Sequence, residues 1–242
     1  MEKASKANCD LCTLCANPFV PSECHKGALI AAIAEAPGLS EVNIGRPLVG
    51  QAGQELDFII AKVGSKRDKI NFLNACDCRP MEGKENRTPT ESEIDCCRAR
   101  LEYELLQLKP LVIVCLGVSP YYSLFGKKPR KFTDVVGTEA EWKGIRVLIT
   151  NHPAKILHEG GHGSALGKIT KDAIENAMDK AVKLTTDRQL ILIDDVPKDA
   201  ALADDAPYTM LEELKRRCHS WFGNRTAVEC KSCTLRFYCY RS

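Results

Sequence analysis

The chain has 242 residues, 44% of them hydrophobic and 27% charged, with a formal net charge of +2. That length holds one α/β domain and an appendage, and the near balance of charge excludes a chain that is basic throughout, leaving any nucleic-acid contact to a local face. No apolar run approaches the roughly 18–20 residues that span a bilayer, and the polar start MEKASKANCD lacks a secretion-signal core, so the expectation is a cytoplasmic protein without a membrane partner.

The chain opens on Cys9 and Cys12 as C-x-x-C, and Cys78 and Cys97 follow much later. Two pairs of this kind can surround one soft metal centre, which would tie the N-terminus to the middle of the fold. Thiolates select zinc or iron–sulfur clusters. Thirteen cysteines also fit a secreted disulfide scaffold, but most such domains fall below about 80–100 residues, and a reducing cytosol suits the clustered spacings better.

Four short runs rich in Val, Ile or Leu read as buried strands: Ala28–Ala34, Ile70–Ala75, Leu111–Gly117 and Ile145–Thr150. Helical patterns lie between them, clearest at Gln51–Val63 and Ser92–Leu108, with Ser92 and Glu93 after Pro89 as a helix start. A further helix is expected from about Ser164 to Leu184, and an added strand at Leu190–Ile193. Strands alternating with helices predict a three-layer α/β/α sandwich on a four-stranded, mostly parallel sheet. In such sheets ligands sit beyond the C-terminal strand ends, so the loops Glu35–Gly53, Asn74–Pro89 and Asn151–Gly163 should meet at one crevice. The expected division is a first domain over 1–186 and an appendage over 187–242, with an acidic linker, a helix at about Tyr208–Trp221 and a cysteine-rich end.

Three ordered motifs lie in those loops. EAPGLSEVNIGRPLVGQAG follows the first strand, NACDCRPMEGKENRTPTESEIDCC follows the second, and NHPAKIL follows the last. Together with the split cysteine pairs they resemble the uracil-DNA glycosylase superfamily, in its iron–sulfur type, the fourth family. The likeness covers about residues 8–184. It rests on Glu35, Pro37, Gly38, Gly45, Arg46, Pro47, Val49, Gly50, Ala52 and Gly53 in the first motif. In the second it rests on Asn74, Cys78, Arg79, Pro80, Asn86, Arg87, Pro89, Glu93 and Cys97. The resemblance implies DNA as partner, a monomer, a [4Fe-4S] cluster on Cys9, Cys12, Cys78 and Cys97, and base excision that leaves an abasic site. Cys15 and Cys96 are close enough to be rival ligands, and Cys24, Cys76 and Cys115 read as small buried hydrophobes.

Cleaving an N-glycosidic bond builds positive charge on the sugar and negative charge on the departing base, after the base has left the stack. A carboxylate stabilises the first or orients water, and Glu35 is the candidate. A side-chain amide reads a pyrimidine edge with donor and acceptor, and Asn74 is the candidate. A histidine donates to the base oxygen where charge develops, and His152 is the candidate. Each alone is as readily a solvated acid, a turn residue and a cap; all three at the ends of strands in one sheet make a site. Gly38, Arg46, Pro47 and Leu48 are expected to line the pocket or hold a phosphate. Arg79 and Lys155 are expected on the DNA, with Ile156 or Leu157 as the wedge that fills the space of the flipped base, and His158 and the Lys127–Lys131 run as further backbone contacts. Leu48 stands where the family has a stacking phenylalanine, a platform worth roughly 1–3 kcal/mol per base. Asp77 replaces a lysine and Val42 an acid. These departures point to a wider pocket and a bulkier 5-substituted pyrimidine, such as those of phage DNA, beside uracil itself.

Beyond the resemblance, Cys218, Cys230, Cys233 and Cys239 form C-x11-C-x2-C-x5-C, which suits a second site for zinc or an iron–sulfur cluster. Basic and aromatic residues around it suit either nucleic-acid contact or a metal-stapled cap. The function expected is that of a monofunctional DNA glycosylase. The alternative is a non-catalytic DNA-binding, processivity or docking protein on the same fold.

Overall fold

The computed structural model describes the backbone of residues 4–194 and the side chains through 186. The strands β1 (Ile30–Ala34), β2 (Ile70–Asn74), β5 (Val112–Leu116) and β7 (Ile145–Thr150) run parallel in the order β2-β1-β5-β7, and β6 (Glu139–Trp142) adds antiparallel to the outer edge of β7. Two other strands, β3 (Met81–Glu82) and β4 (Glu85–Asn86), form a separate small hairpin. The sheet therefore has five strands where four were expected. The four foreseen are buried along nearly their whole length and read as continuous apolar runs. The fifth alternates as E-A-E-W on an exposed edge and carries no such run. Its signal is the two-residue turn Lys143-Gly144, both at positive φ, between the paired Trp142 and Ile145.

The helices are α1 (Leu39–Ile44), α2 (Gln51–Lys62), α3 (Glu91–Leu108), α4 (Val118–Phe125), α5 (Ala154–His158) and α6 (Ala165–Asp194). Leu56, Ile59 and Ile60 of α2 and Ile174, Ala177, Met178 and Ala181 of α6 bury one face of the sheet against Ile30, Ala32, Phe72, Val114 and Leu148. On the other side α3 and α4 pack against one another. Ile94 and Tyr122 from these helices share a second cluster with Leu14, Ala75, Cys76, Cys78 and Cys97. The result is the expected three-layer sandwich. Residues 190–193 lie within α6, so the strand expected there does not form. No described helix is long and apolar enough to cross a membrane.

Helix α3 begins at Glu91, one residue earlier than Ser92. Thr90 is its N-cap: its Oγ1 accepts from the Glu93 amide, and the Glu93 carboxylate accepts from the Thr90 amide at 2.8 Å. Glu93 also takes both ends of the Arg87 guanidinium, at 2.6 and 2.8 Å, and the Thr13 hydroxyl at 2.6 Å. The Arg87 hydrogen bonds hold its carboxyl well below the usual range, at about 2. One acid thus joins the N-terminal segment, the loop after the hairpin and α3.

The first motif is folded tightly around Leu48, which adopts φ +51°. A Cβ on Gly53 would lie 2.0 Å from the Leu48 carbonyl oxygen, so only glycine lets α2 approach this loop. Gly53→Ala is expected to cost about 3 kcal/mol or more, as overpacking against backbone does, and urea unfolding of the purified variant measures it.

Candidate active site

All four parallel strands end together. Ala34 of β1 pairs with Asn74 of β2, and Leu116 of β5 pairs with Thr150 of β7. The chain reverses its direction of progress between β1 and β5, which is where crevices form in sheets of this kind. A cavity of 320 Å³ opens there, lined by Glu35, Gly38, Glu41, Leu48, Asn74, Asn86, His152 and His158, among others. It lies at the small end of the range for ligand sites, about 300–1,000 Å³. Glu35, Asn74 and His152, named from three separate motifs, meet in it.

Glu35 follows β1 directly. Its Oε2 accepts from Ser119 Oγ at 2.7 Å. Burial pushes its carboxyl up, and hydrogen bonds from Ser119 and Thr88 pull it partly back. Asn74 is the last residue of β2 and is 2% exposed. Its backbone carbonyl accepts from Arg100 Nη2 at 2.6 Å, and its side-chain amide makes no hydrogen bond to another described residue. His152 follows β7. Burial depresses its imidazole from 6.5 to about 4, opposed by the charge of Glu41. The Ala154 amide donates to His152 Nδ1 at 3.2 Å. An Nδ1 that accepts leaves the ring proton on Nε2, so the neutral imidazole is a hydrogen-bond donor.

Glu41 is a site residue the sequence reading passed over. Its Oε2 accepts from the Gly38 amide at 3.0 Å, and its Oε1 accepts from the Val49 and Gly50 amides at 2.9 and 2.7 Å. One carboxylate thereby pins the start of α1 to the loop that carries Leu48. Its signal was the G-x-x-E spacing of a helix start. Asn86 was quoted only as a motif match. Arg79 Nε donates to its Oδ1 at 2.6 Å, so the amide nitrogen is turned the other way, beside Gly38.

Several expected residues lie elsewhere. Arg46 and Pro47 do not line the cavity. Arg46 pairs with Glu23 at 2.6 Å, and the Pro47 carbonyl accepts from Arg67, which also binds Glu23 and the Leu48 carbonyl. Arg79 is only 6% exposed, because its guanidinium is spent on Asn86 and the Lys84 carbonyl within the β3–β4 loop rather than on DNA. Ile156 is 0% exposed and belongs to the core beneath α5, so it cannot reach into DNA, whereas Leu157 is 37% exposed at the rim. Lys155 is half-exposed, close to Asn151 and Glu159.

The fold brings the N-terminal cysteines to the second motif. The Asn8 amide donates to the Cys96 carbonyl at 2.8 Å, which docks the 3-10 turn Cys9–Leu11 on α3. Cys12, Cys78 and Cys97 share one cluster. Cys97 meets Cys76 within it, a contact that pushes Cys97 down and Cys76 up, and Cys12 meets Cys96. Among the described residues no three side chains converge as metal ligands, yet the donor set gathered here is all thiol, the chemistry of zinc and iron–sulfur sites. Cys218, Cys230, Cys233 and Cys239 lie outside the described residues, as does the expected helix at about Tyr208–Trp221.

A carboxylate, an amide and a neutral imidazole donor line one pocket at the strand ends, an arrangement suited to releasing a base from its sugar. The family model described as the uracil DNA glycosylase superfamily matches residues 21–177. Curated relatives named Type-4 uracil-DNA glycosylase are similar to this chain. That of Pyrobaculum aerophilum is 35% identical over 161 residues, 63% of this chain and 81% of the relative. That of Archaeoglobus fulgidus is 33% identical over 164 residues, 65% and 80%. That of Thermotoga maritima is 32% identical over 172 residues, 70% and 87%. The chain belongs to the uracil-DNA glycosylase superfamily and is a DNA N-glycosylase.

Proposed function

We propose that the enzyme flips uracil, or a pyrimidine enlarged at C5, out of DNA and hydrolyses its N-glycosidic bond. The observation that carries this is the convergence of Glu35, Asn74 and His152 on one 320 Å³ cavity at the strand ends. The flipped base costs a few kcal/mol to unstack, and the Asn74 amide repays part of that by pairing donor and acceptor with the pyrimidine edge. As the glycosidic bond breaks, its electrons pass to the base. The His152 Nε2–H meets the base oxygen where that charge collects. The Glu35 carboxylate faces the cationic sugar and takes up a proton from the attacking water, whose oxygen bonds to the sugar carbon. No lysine is needed, and the product is an abasic site. Leu157 at the rim fills the vacated space in the duplex, with Lys155 toward the phosphates.

Cys9, Cys12, Cys78 and Cys97 would hold a [4Fe-4S] cluster in this reading. Those four thiolates would then tie the N-terminal turn to α3 and to the segment that carries Arg79, a structural cross-link.

Leu48 lines the cavity where an aromatic ring would otherwise provide a stacking face, and this supports the larger base. Base release by anaerobically purified protein is scored as abasic-site cleavage of oligonucleotides carrying uracil or bulky 5-substituted pyrimidines. Release of either base, lost in Glu35→Gln, is expected. DNA binding without release from any substrate would transfer the assignment to a DNA-binding role. Leu48→Phe should lower release of the bulky base by about tenfold, given what base–aromatic contacts and pocket volume are worth, and leave uracil release intact. An unchanged ratio removes the widened-pocket reading.

A further inference from the structure

The end of β5 carries none of the three motifs, yet it touches two of the residues that act. β1 and β5 are neighbours, with Ile33 paired to Cys115, so the turn after Leu116 stands beside Glu35. Gly117 caps α4 at φ +102°. A Cβ there would lie 3.3 Å from the His152 Cβ. Two residues on, Ser119 is 1% exposed, and its hydroxyl is 2.7 Å from Glu35 Oε2.

We propose that Ser119 is a positioning residue for Glu35: delivered by the first turn of α4, its hydroxyl fixes the carboxylate at the cavity wall and keeps it ionised. The inference rests on the reading of Glu35 given above. A carboxylate taken out of water needs donors to stay charged. Other charged groups facing the cavity do not supply these bonds. Arg87 is held by Glu93, Glu41 is held by three backbone amides, and His152 and His158 line the cavity from the segment that follows β7, with no hydrogen bond to Glu35 among the described residues. The donors to Glu35 are Ser119 and, from the loop before α3, Thr88. Removing the Ser119 hydroxyl therefore favours the protonated, inactive acid.

The test is single-turnover release of whichever base the intact protein releases fastest, followed from pH 5 to 9 for the wild type, Ser119→Ala, Ser119→Thr and Glu35→Gln. Ser119→Ala is expected to move the acid limb of the rate to higher pH, with about a tenfold loss at the acid end, the scale of one hydrogen bond to a charged group. DNA affinity should be unchanged, and Ser119→Thr should restore the wild-type limb. An acid limb that stays in place in Ser119→Ala, whether or not the rate falls, overturns the assignment. The reading of Glu35 fails separately, through Glu35→Gln releasing base at the wild-type rate.

Discussion

His152→Ala is expected to slow base release by about 10²–10³-fold, the usual loss when one donor to a developing anion is removed, with little change in DNA affinity. The form of the ring decides its role. Its Nδ1 accepts from the Ala154 amide, which places the proton on Nε2. Burial lowers the imidazole from 6.5 to about 4, so at neutral pH it is an uncharged donor, and protonation of His152 does not set the rate limb above about pH 5. A histidine held neutral in the fold also has a stability signature. Its folded-state value lies below the unfolded one, so the unfolded chain binds the proton more readily as pH falls. The stability it contributes is present above pH 6.5 and is lost toward about pH 4. Urea unfolding at pH 7.5 and 4.5 should show wild type losing more than His152→Asn. Equal losses would mean that the folded ring takes up a proton as readily as the unfolded one, against the reading of a ring held neutral. Single-turnover rates at saturating protein measure the main effect, and a loss confined to DNA affinity would sink it.

What the sequence made legible follows from burial. β1, β2, β5 and β7 are hidden on both faces, so each reads as an unbroken apolar run, and the ends of those runs mark the crevice. The partners of the acting groups were harder to see. Ser119 belongs to no motif; it matters because β5 lies beside β1 in the sheet, which chain order does not state. Arg79 and Ile156 sit in motifs, so a surface role was expected of both. Arg79 instead turns inward because the β3–β4 loop needs a donor for its carbonyl and for Asn86, and Ile156 because α5 has one core-facing side. Position in a motif identified the neighbourhood of each residue but not the direction of its side chain.

Arg100→Met is expected to lower stability by about 3–5 kcal/mol, as removal of one partner from a buried ionic group does. Arg100 is 1% exposed and is among the largest fully buried side chains. Its Nη1 donates to Glu104 at 2.9 Å, and its Nη2 donates to the carbonyl of Asn74 at 2.6 Å. Asp77 Oδ1 lies 3.2 Å from the same nitrogen without hydrogen-bond alignment, and burial pushes its carboxyl up to about 7 despite the nearby cation. Asp77 stands where the resemblance expects lysine, and two cations would otherwise face each other beneath β2. The acid there is matched to Arg100, so the two form one unit. Methionine fills much of the volume but leaves the Asn74 carbonyl without its donor and Asp77 without its cation, although protonation of Asp77 limits the cost. Because Arg100 grips the backbone of Asn74, base recognition should suffer too. At a urea concentration where the variant remains folded, substrate affinity should fall while the response to His152→Ala is unchanged. Arg100→Lys keeps a charge but not the fork that spans Glu104 and the strand end, and should recover only part of the stability. A fully stable Arg100→Met protein with normal affinity would show that Asn74 is held by the sheet alone.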